Sequence, residues 1–337
     1  MTRGGRAALA GAGGLLLRKG PVLGFLALCL LLLAPGHASA ASPACTLTIA
    51  NINFGSSVDV LPGGAVTVTG SWGLSCSGFG HSEIDRFCLN LGSGSGVSGS
   101  QRQLISGSNT LNYDLYQNSA YSTLWGSWQT GFDSAGMQID ITSNSSGNIS
   151  TSIPIYAKLF ASQQTAAPGS YSSVFPNSTS GAYATFAKAA GTNCPTGANH
   201  AQTGFSVLAT VITSCYVNAT TLNFGTAGLL SSLINATSTV SAQCTKGTPY
   251  NVGLNAGTTA GGTTTTRLMA NGPATISYKM FSDSARTINW GNTIGTDTVG
   301  GTGTGNNQAL TVYGQVPVQT SVAPGTYSDT VTATVTY

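Results

Sequence analysis

Charged residues are scarce in this sequence, since Asp, Glu, Lys and Arg together make up only 6% of its 337 residues. Four of the twelve basic residues lie close to the N-terminus, which leaves eight Lys and Arg against nine Asp and Glu in the rest of the chain. Such a chain has no basic face that could neutralise phosphates. We therefore expect no nucleic-acid binding.

Histidine is also rare, and only His81 and His200 lie outside the N-terminal region. Neither residue stands in a pattern typical of a nucleophile or a metal ligand, and no Cys-x-x-Cys pair is present. The sequence therefore predicts no enzyme, no metal site and no cofactor.

Long apolar runs are confined to the N-terminus. Basic residues there precede the apolar run from Val22 to Leu33, and Ala38-Ser39-Ala40 supplies the small residues of a cleavage site. Residues 1–40 are therefore predicted to be a signal peptide. The apolar run is shorter than the roughly 20 residues of a membrane-spanning helix, and no later stretch is as apolar, so no membrane anchor is expected.

Short alternating runs dominate the exported part, which is rich in Gly, Ser, Thr, Asn and β-branched residues. In the segment from Thr330 to Tyr337, every second residue is apolar and the others carry hydroxyl groups. This period of two is typical of a strand with one face on a core. Many such runs separated by turn residues predict an all-β fold of immunoglobulin-like β-sandwiches.

The two halves of the chain repeat each other. Each contains, in the same order, a Cys before an Asn-Phe-Gly turn, a second Cys, a Tyr before a Trp-Gly pair, and an Ala-Pro-Gly-x-Tyr turn. Two copies of one domain are therefore predicted, at residues 41–203 and 214–337, joined by residues 204–213. The matching segments are Cys45 to Gly55 with Cys215 to Gly225, Cys76 with Cys244, Leu111 to Tyr116 with Ile276 to Phe281, Trp125-Gly126 with Trp290-Gly291, and Ala167 to Tyr171 with Ala323 to Tyr327.

Six cysteines follow the signal peptide, and an even number in an exported chain favours disulfides over free or metal-bound thiols. Because equivalent copies should form equivalent bonds, the repeat predicts Cys45–Cys76 and Cys215–Cys244. Cys88–Cys194 then remains for the N-terminal copy alone.

The ends of the two copies differ in a way that bears on function. The C-terminal copy ends on the strand with Val331, Ala333, Val335 and Tyr337, which would form an open acceptor edge if that copy needs one more strand. The N-terminal copy is followed by an alternating run that could complete it from within the chain, and the same run is compatible with a linker strand of the C-terminal copy. Its apolar residues are Phe205, Val207, Ala209 and Val211.

The repeated motifs resemble the spore coat protein U domain family. The similarity rests on the Cys…Asn-Phe-Gly opening, the Tyr…Trp-Gly segment, the Ala-Pro-Gly-Thr-Tyr-Ser-Asp turn and the alternating segment that ends at Tyr337. It covers almost all of residues 215–337 and is looser over residues 45–204. The resemblance implies that each copy is a pilin-like sandwich, as found in the subunits of archaic chaperone–usher pili. Two-domain members of this family resemble tip adhesins, so the resemblance implies a tip adhesin.

This resemblance also implies the partners. A pilin domain lacks its last strand, and an adjacent pilin subunit donates a segment that pairs along the open edge. A periplasmic chaperone is expected to cover that edge before assembly, and an outer-membrane usher to assemble the fibre. Only about four residues precede Cys45 after cleavage, so the chain is expected at the pilus tip on the cell surface.

A tip adhesin would contact an abiotic or host surface and mediate attachment and biofilm formation. Apolar residues in loops of the N-terminal copy are candidates for this contact, and Trp128 and Phe132 are the strongest because the C-terminal copy has no equivalent of them. Phe79 and Leu74, beside Cys76, are further candidates. The main alternative is a free-standing secreted β-sandwich, either a sugar-binding module or a structural protein of a coat layer, whose C-terminal domain would fold alone.

Overall fold

The computed structural model describes residues 42–128, 130, 132, 136–188, 194 and 200–337. The predicted signal peptide, residues 1–40, lies outside these residues. No helix within the described ranges is long and apolar enough to cross a membrane.

Strands account for the regular structure of the described residues, and they form two groups that we call the N-terminal and C-terminal domains. The N-terminal domain contains β1 (Ala44–Ile49), β2 (Ile52–Asn53), β3 (Val66–Ser77), β4 (Ile84–Leu91), β5 (Val97–Ser98), β6 (Gln101–Ser106), β7 (Asn109–Tyr116), β8 (Met137–Thr142), β9 (Ile149–Leu159), β10 (Gly169–Phe175), β11 (Ala182–Lys188), β12 (His200–Thr203) and β13 (Phe205–Val211). The C-terminal domain contains β14 (Cys215–Ala219), β15 (Ile234–Cys244), β16 (Pro249–Leu254), β17 (Arg267–Asn271), β18 (Ala274–Phe281), β19 (Val299–Thr302), β20 (Gln308–Val316) and β21 (Ala333–Thr336).

Each domain is a pair of sheets. In the N-terminal domain one sheet has the order β1-β3-β9-β7-β6-β10-β13-β2, with β5 beside β6, and the other has the order β12-β11-β4-β8. In the C-terminal domain the orders are β14-β15-β20-β18-β17 and β19-β16-β21. The prediction of an all-β fold with two tandem sandwiches is confirmed, and the described part of the C-terminal domain has no strand equivalent to β13.

Two of the repeated motifs form the same turn in both domains. In the Asn-Phe-Gly turn the glycine N–H donates to the preceding Asn Oδ1, from Gly55 to Asn53 at 2.9 Å and from Gly225 to Asn223 at 2.8 Å. Both glycines have a positive φ, which a side chain would disfavour.

In the Ala-Pro-Gly-x-Tyr turn the tyrosine hydroxyl donates to the alanine carbonyl four residues earlier. The distance is 2.7 Å from Tyr171 to Ala167 and 2.8 Å from Tyr327 to Ala323. A bond of this kind fixes the start of a strand at the corner of a sandwich. The turn therefore sets where β10 begins, and in the C-terminal domain it precedes the corresponding segment, residues 325–331.

Three disulfides link the sheets and loops: Cys45–Cys76, Cys88–Cys194 and Cys215–Cys244. The first and third join equivalent first strands to their neighbours, since Cys45 pairs with Cys76 across β1 and β3, and Cys215 with Cys244 across β14 and β15. They hold the first strand of each sandwich in register with the second.

The two cores differ in how completely they are covered. Leu104, Leu111 and Ile52 are fully or almost fully buried in the N-terminal core. The residues at the equivalent positions of the C-terminal domain are Met269, Ile276 and Leu222, and all three are only partly buried. The incompletely covered part of the C-terminal core is therefore at the position equivalent to the part of the N-terminal core that β13 covers.

Candidate functional site

Strand β13 fills a groove between two edges of the N-terminal domain. It runs antiparallel to β10 over its whole length, from Phe205 opposite Phe175 to Val211 opposite Gly169. On its other side it runs parallel to β2, with Val207 opposite Ile52. The preceding strand β12 continues the pairing in the other sheet, where it lies against β11.

Backbone hydrogen bonds continue the parallel pairing beyond β2. The Phe54 N–H donates to the Leu208 carbonyl at 2.9 Å, and the Val58 N–H donates to the Thr210 carbonyl at 2.8 Å. In return, the Thr210 N–H donates to the Gly55 carbonyl at 3.0 Å. β13 therefore pairs with the segment from the Asn-Phe-Gly turn to Val58 as well as with β2.

The side chains of β13 alternate between the core and the outer face. The four core-facing residues are almost completely buried and belong to the N-terminal core: Phe205, Val207, Ala209 and Val211. Phe205 also stacks on Phe175, with 4.3 Å between the ring centroids. These are the residues predicted as an intrachain donor strand, and they lie where such a strand would close the N-terminal sandwich.

The C-terminal domain has an open cleft in the equivalent position. The cleft has a volume of about 900 Å³. Its floor and walls are mainly apolar and include Leu222, Phe224, Met269, Ile276, Val331 and Ala333. This is the partly buried section of the C-terminal core.

Both rims of the cleft have backbone groups without a strand partner. Within the described residues, no backbone hydrogen bond joins residues 224–228 to another strand, although the equivalent residues 54–58 pair with β13. On the opposite rim, the only backbone pairing of residues 325–331 with the described residues is the bridge between Ala270 and Ser328. Unpaired N–H and C=O groups along two edges form a template for an added strand.

Residues of the predicted acceptor edge have different positions. Val331 and Ala333 line the cleft. Val335 pairs with Val252 of β16 and packs on the C-terminal core, outside the cleft. Tyr337 is exposed and is not among the residues that line the cleft, because the strand passes from the cleft to the β16 sheet before it reaches this residue.

Among the residues that the structure describes, Asp329 is the one carboxylate that lines the cleft. Its Oδ1 accepts from the N–H groups of Thr258 and Thr259, at 2.9 and 3.1 Å, and from both of their hydroxyls. Its Oδ2 accepts from the Tyr278 hydroxyl at 2.7 Å. Burial opposes ionisation, but these hydrogen bonds outweigh it and hold the pKa of Asp329 below its ordinary value.

Each domain also buries one arginine that sequence reasoning missed. The Arg102 guanidinium donates to the carbonyls of Leu91, Gly92 and Trp125 and lies 3.3 Å from Asp114. Its equivalent, Arg267, donates to the carbonyls of Leu254, Asn255, Trp290 and Thr264. A signal was present in the sequence, because both arginines precede the repeated tyrosine, Tyr113 or Tyr278, by the same number of residues.

Comparison with known proteins assigns the family. A model of the Spore Coat Protein U domain matches the chain twice, over residues 34–176 and 201–334. The chain belongs to the Spore Coat Protein U domain family. Protein U of Myxococcus xanthus is 38% identical over 129 residues, which are 35% of this chain and 72% of Protein U.

A solved structure shows a similar fold. It is the pre-assembly complex of the chaperone CsuC and the tip adhesion subunit CsuE, from the archaic chaperone–usher Csu pili of Acinetobacter baumannii. The match has 19% identity and a TM-score of 0.51, and it covers 87% of this chain and all of the matched chain. The pilin-like arrangement of the two Spore Coat Protein U domains is therefore shared with a solved structure.

The candidates for a contact surface on the first Spore Coat Protein U domain divide into buried and exposed residues. Leu74 and Phe79 are buried in the core, and Phe79 packs against Phe87 and Phe186. Their assignment to a contact surface was wrong, because β3 directs Leu74 inward and the loop after β3 packs Phe79 against these two rings.

Trp128 and Phe132 lie nearer the surface. Trp128 is 39% exposed, and its backbone N–H donates to Asn90 Oδ1 at 2.9 Å. Phe132 is partly exposed, and one face of its ring covers the buried guanidinium of Arg102 at 4.4 Å. Of the four candidates, Trp128 therefore presents the most aromatic surface to solvent.

Proposed function

We propose that this protein is the tip adhesin subunit of a chaperone–usher pilus and is joined to the fibre through the cleft of its C-terminal domain. The observation that carries the proposal is the contrast between the two domains of one chain. The same groove is filled by β13 in one domain and open in the other. The N-terminal domain thus provides a template for what the C-terminal cleft would bind.

The template specifies the form of the missing strand. It would run antiparallel to residues 325–331 and parallel to residues 222–228, with every second side chain directed into the cleft. Main-chain hydrogen bonds would supply affinity, and the alternate apolar side chains would supply the fit. We propose that an adjacent pilin subunit donates this segment.

The proposal includes further partners. An open apolar cleft between unpaired edges is an aggregation hazard, so a periplasmic chaperone would cover it and an outer-membrane usher would exchange the chaperone for the pilin segment. The similarity of fold to a chain from a chaperone–tip adhesion subunit complex supports this assignment. The protein would then be exported through the periplasm to the cell surface, where its N-terminal domain would contact an abiotic or host surface and promote biofilm formation.

A donor peptide tests the cleft directly. The probe has the sequence of residues 203–212, extended by lysines for solubility, and is added to the chain from residue 42 to residue 337. At about 100 times its Kd, a peptide that binds only the folded state stabilises it by about 2.7 kcal/mol. We expect the unfolding transition of the C-terminal domain to rise by about 10 °C in a thermal melt.

The matched control is a peptide of the same length with Asp in place of Val207 and Ala209, so that charges would enter the cleft. It should leave the transition unchanged. An equal rise with both peptides, or no rise with either, would show that the cleft does not accept a strand in this register.

The adhesive role predicts a loss of surface attachment in the variant Trp128→Ser. Burying the exposed part of this ring against a hydrophobic surface is worth about 1–2 kcal/mol, at about 25 cal/mol per Å². Retention of the purified chain on hydrophobic beads should therefore fall about tenfold, with an unchanged thermal melt. The control Val318→Ser removes an exposed apolar residue of the C-terminal domain and should not change retention.

A further inference from the structure

The open cleft has a carboxylate at a position where the filled groove has a hydroxyl group. Counted from the Ala-Pro-Gly-x-Tyr turn, Asp329 is the equivalent of Ser173 in β10. Both lie beside the repeated buried tyrosine, Tyr113 in one domain and Tyr278 in the other. Both also face an equivalent glycine, since a Cβ on Gly94 would meet Ser173 and a Cβ on Gly257 would meet Asp329.

The register of the N-terminal domain shows which residue of an inserted strand would face Asp329. Ser173 is paired with Val207, and both side chains are completely buried on the core side of their strands. On its other side Val207 is paired with Ile52, whose equivalent is Leu222. A residue inserted at the Val207 position would therefore lie between the carboxylate of Asp329 and the apolar side chain of Leu222.

The carboxylate can accept a further hydrogen bond at this position. A carboxylate has about four acceptor sites, and among the described residues Oδ2 receives only the Tyr278 hydroxyl. Water can reach the partly exposed Asp329 while the cleft is open. An inserted strand would exclude that water, which is unfavourable for an ionised group unless the strand supplies a donor.

We infer that Asp329 selects the segment that enters the cleft, and that a threonine binds better than a valine at the position facing it. Threonine has nearly the same shape as valine, and it offers a hydroxyl to Asp329 and a methyl group to Leu222. The inference rests on the proposed insertion of a strand into this cleft. It adds that the partner segment has an apolar, hydroxyl, apolar, apolar order at the positions of Phe205, Val207, Ala209 and Val211.

Asp329 has a second possible role, which the experiment must separate from selection. In the N-terminal domain Asp114 balances the buried Arg102, but the equivalent of Asp114 in the C-terminal domain is Lys279. Asp329 therefore also contributes negative charge near Arg267. The double variant Asp329→Ser/Lys279→Asp restores both residues of the N-terminal domain, so it removes the carboxylate from the cleft and keeps an acid for the arginine.

The test compares two peptides on two forms of the chain from residue 42 to residue 337. One peptide has the sequence of residues 203–212, and the other has Val207→Thr. Dissociation constants are measured by fluorescence anisotropy. On the natural chain the threonine peptide should bind about tenfold more tightly, as expected of a hydrogen bond to a charged group. On the double variant the valine peptide should bind at least as tightly as the threonine peptide.

The outcomes distinguish selection from charge balance. If Asp329 only balances Arg267, the ratio of the two dissociation constants is the same on both chains, which overturns the inference and leaves the proposed function intact. Binding of neither peptide to the natural chain overturns the proposed function and the inference with it. A preference for the threonine peptide on the natural chain that disappears or reverses on the double variant supports both.

Discussion

The variant Val207→Asp should lose most of the stability of the N-terminal domain. Val207 is completely buried between β10 and β2, and its cross-strand neighbours, Ser173 and Ile52, carry no positive charge. An unpaired carboxylate at that position must be desolvated or protonated, and either is costly. We expect a loss of about 4 kcal/mol or more, which is a large part of the 5–15 kcal/mol typical of a domain.

Urea unfolding followed by tryptophan fluorescence measures this loss, because three of the four tryptophans, Trp72, Trp125 and Trp128, belong to the N-terminal domain. The matched control is Ser206→Asp, on the same strand but on its outer face, where a carboxylate stays in water. Its cost should be below about 1 kcal/mol. Equal costs for the two variants would show that β13 does not close the N-terminal core.

The sequence predicted the fold class because a strand with one buried face alternates apolar and polar residues. Nearly every strand segment of this chain shows that alternation. The repeat was equally informative, since two copies of the same motifs predicted the same disulfide in both domains. The alternating run Phe205 to Val211 also predicted a strand, and the structure has β13 there.

Side-chain exposure was harder to predict. Leu74 and Phe79 are close in sequence to the turn after β3, and that proximity suggested a surface position. The structure buries them because β3 alternates inward at Leu74 and because Phe79 folds back over Phe87 and Phe186. Proximity to a loop in the sequence does not determine the direction in which a side chain points.

The buried arginines were missed for a different reason. Arg and other charged residues are normally exposed, so a single Arg between polar neighbours is typical of a surface strand. Arg102 and Arg267 are buried where each guanidinium donates to several backbone carbonyls. Only the comparison of the two copies reveals this role, since the position of the arginine relative to the repeated tyrosine is the same in both.

Removal of the Arg267 guanidinium should therefore be among the most destabilising changes in the C-terminal domain. In Arg267→Met the side chain keeps much of its volume, but the carbonyls of Leu254, Asn255, Trp290 and Thr264 lose a donor at 2.7 to 2.8 Å. Buried acceptors without partners cost about 1–3 kcal/mol each, with partial relief where water enters. We expect a total loss of about 3–5 kcal/mol, the cost typical of removing one member of a buried charged network.

The control is Arg286→Met, which removes an arginine whose two carbonyl contacts are both 3.3 Å long and whose guanidinium lies over the Tyr313 ring. Its cost should stay below about 1 kcal/mol.

The two variants are compared by urea unfolding of the chain from residue 42 to residue 337, with and without the donor peptide. Because Arg267 connects β17, β16 and the Trp290 segment beneath the cleft, Arg267→Met should also weaken peptide binding, whereas Arg286→Met should leave it unchanged. A variant Arg267→Met that keeps both its stability and its peptide affinity would show that the carbonyls find other donors and that the arginine does not hold the floor of the cleft together.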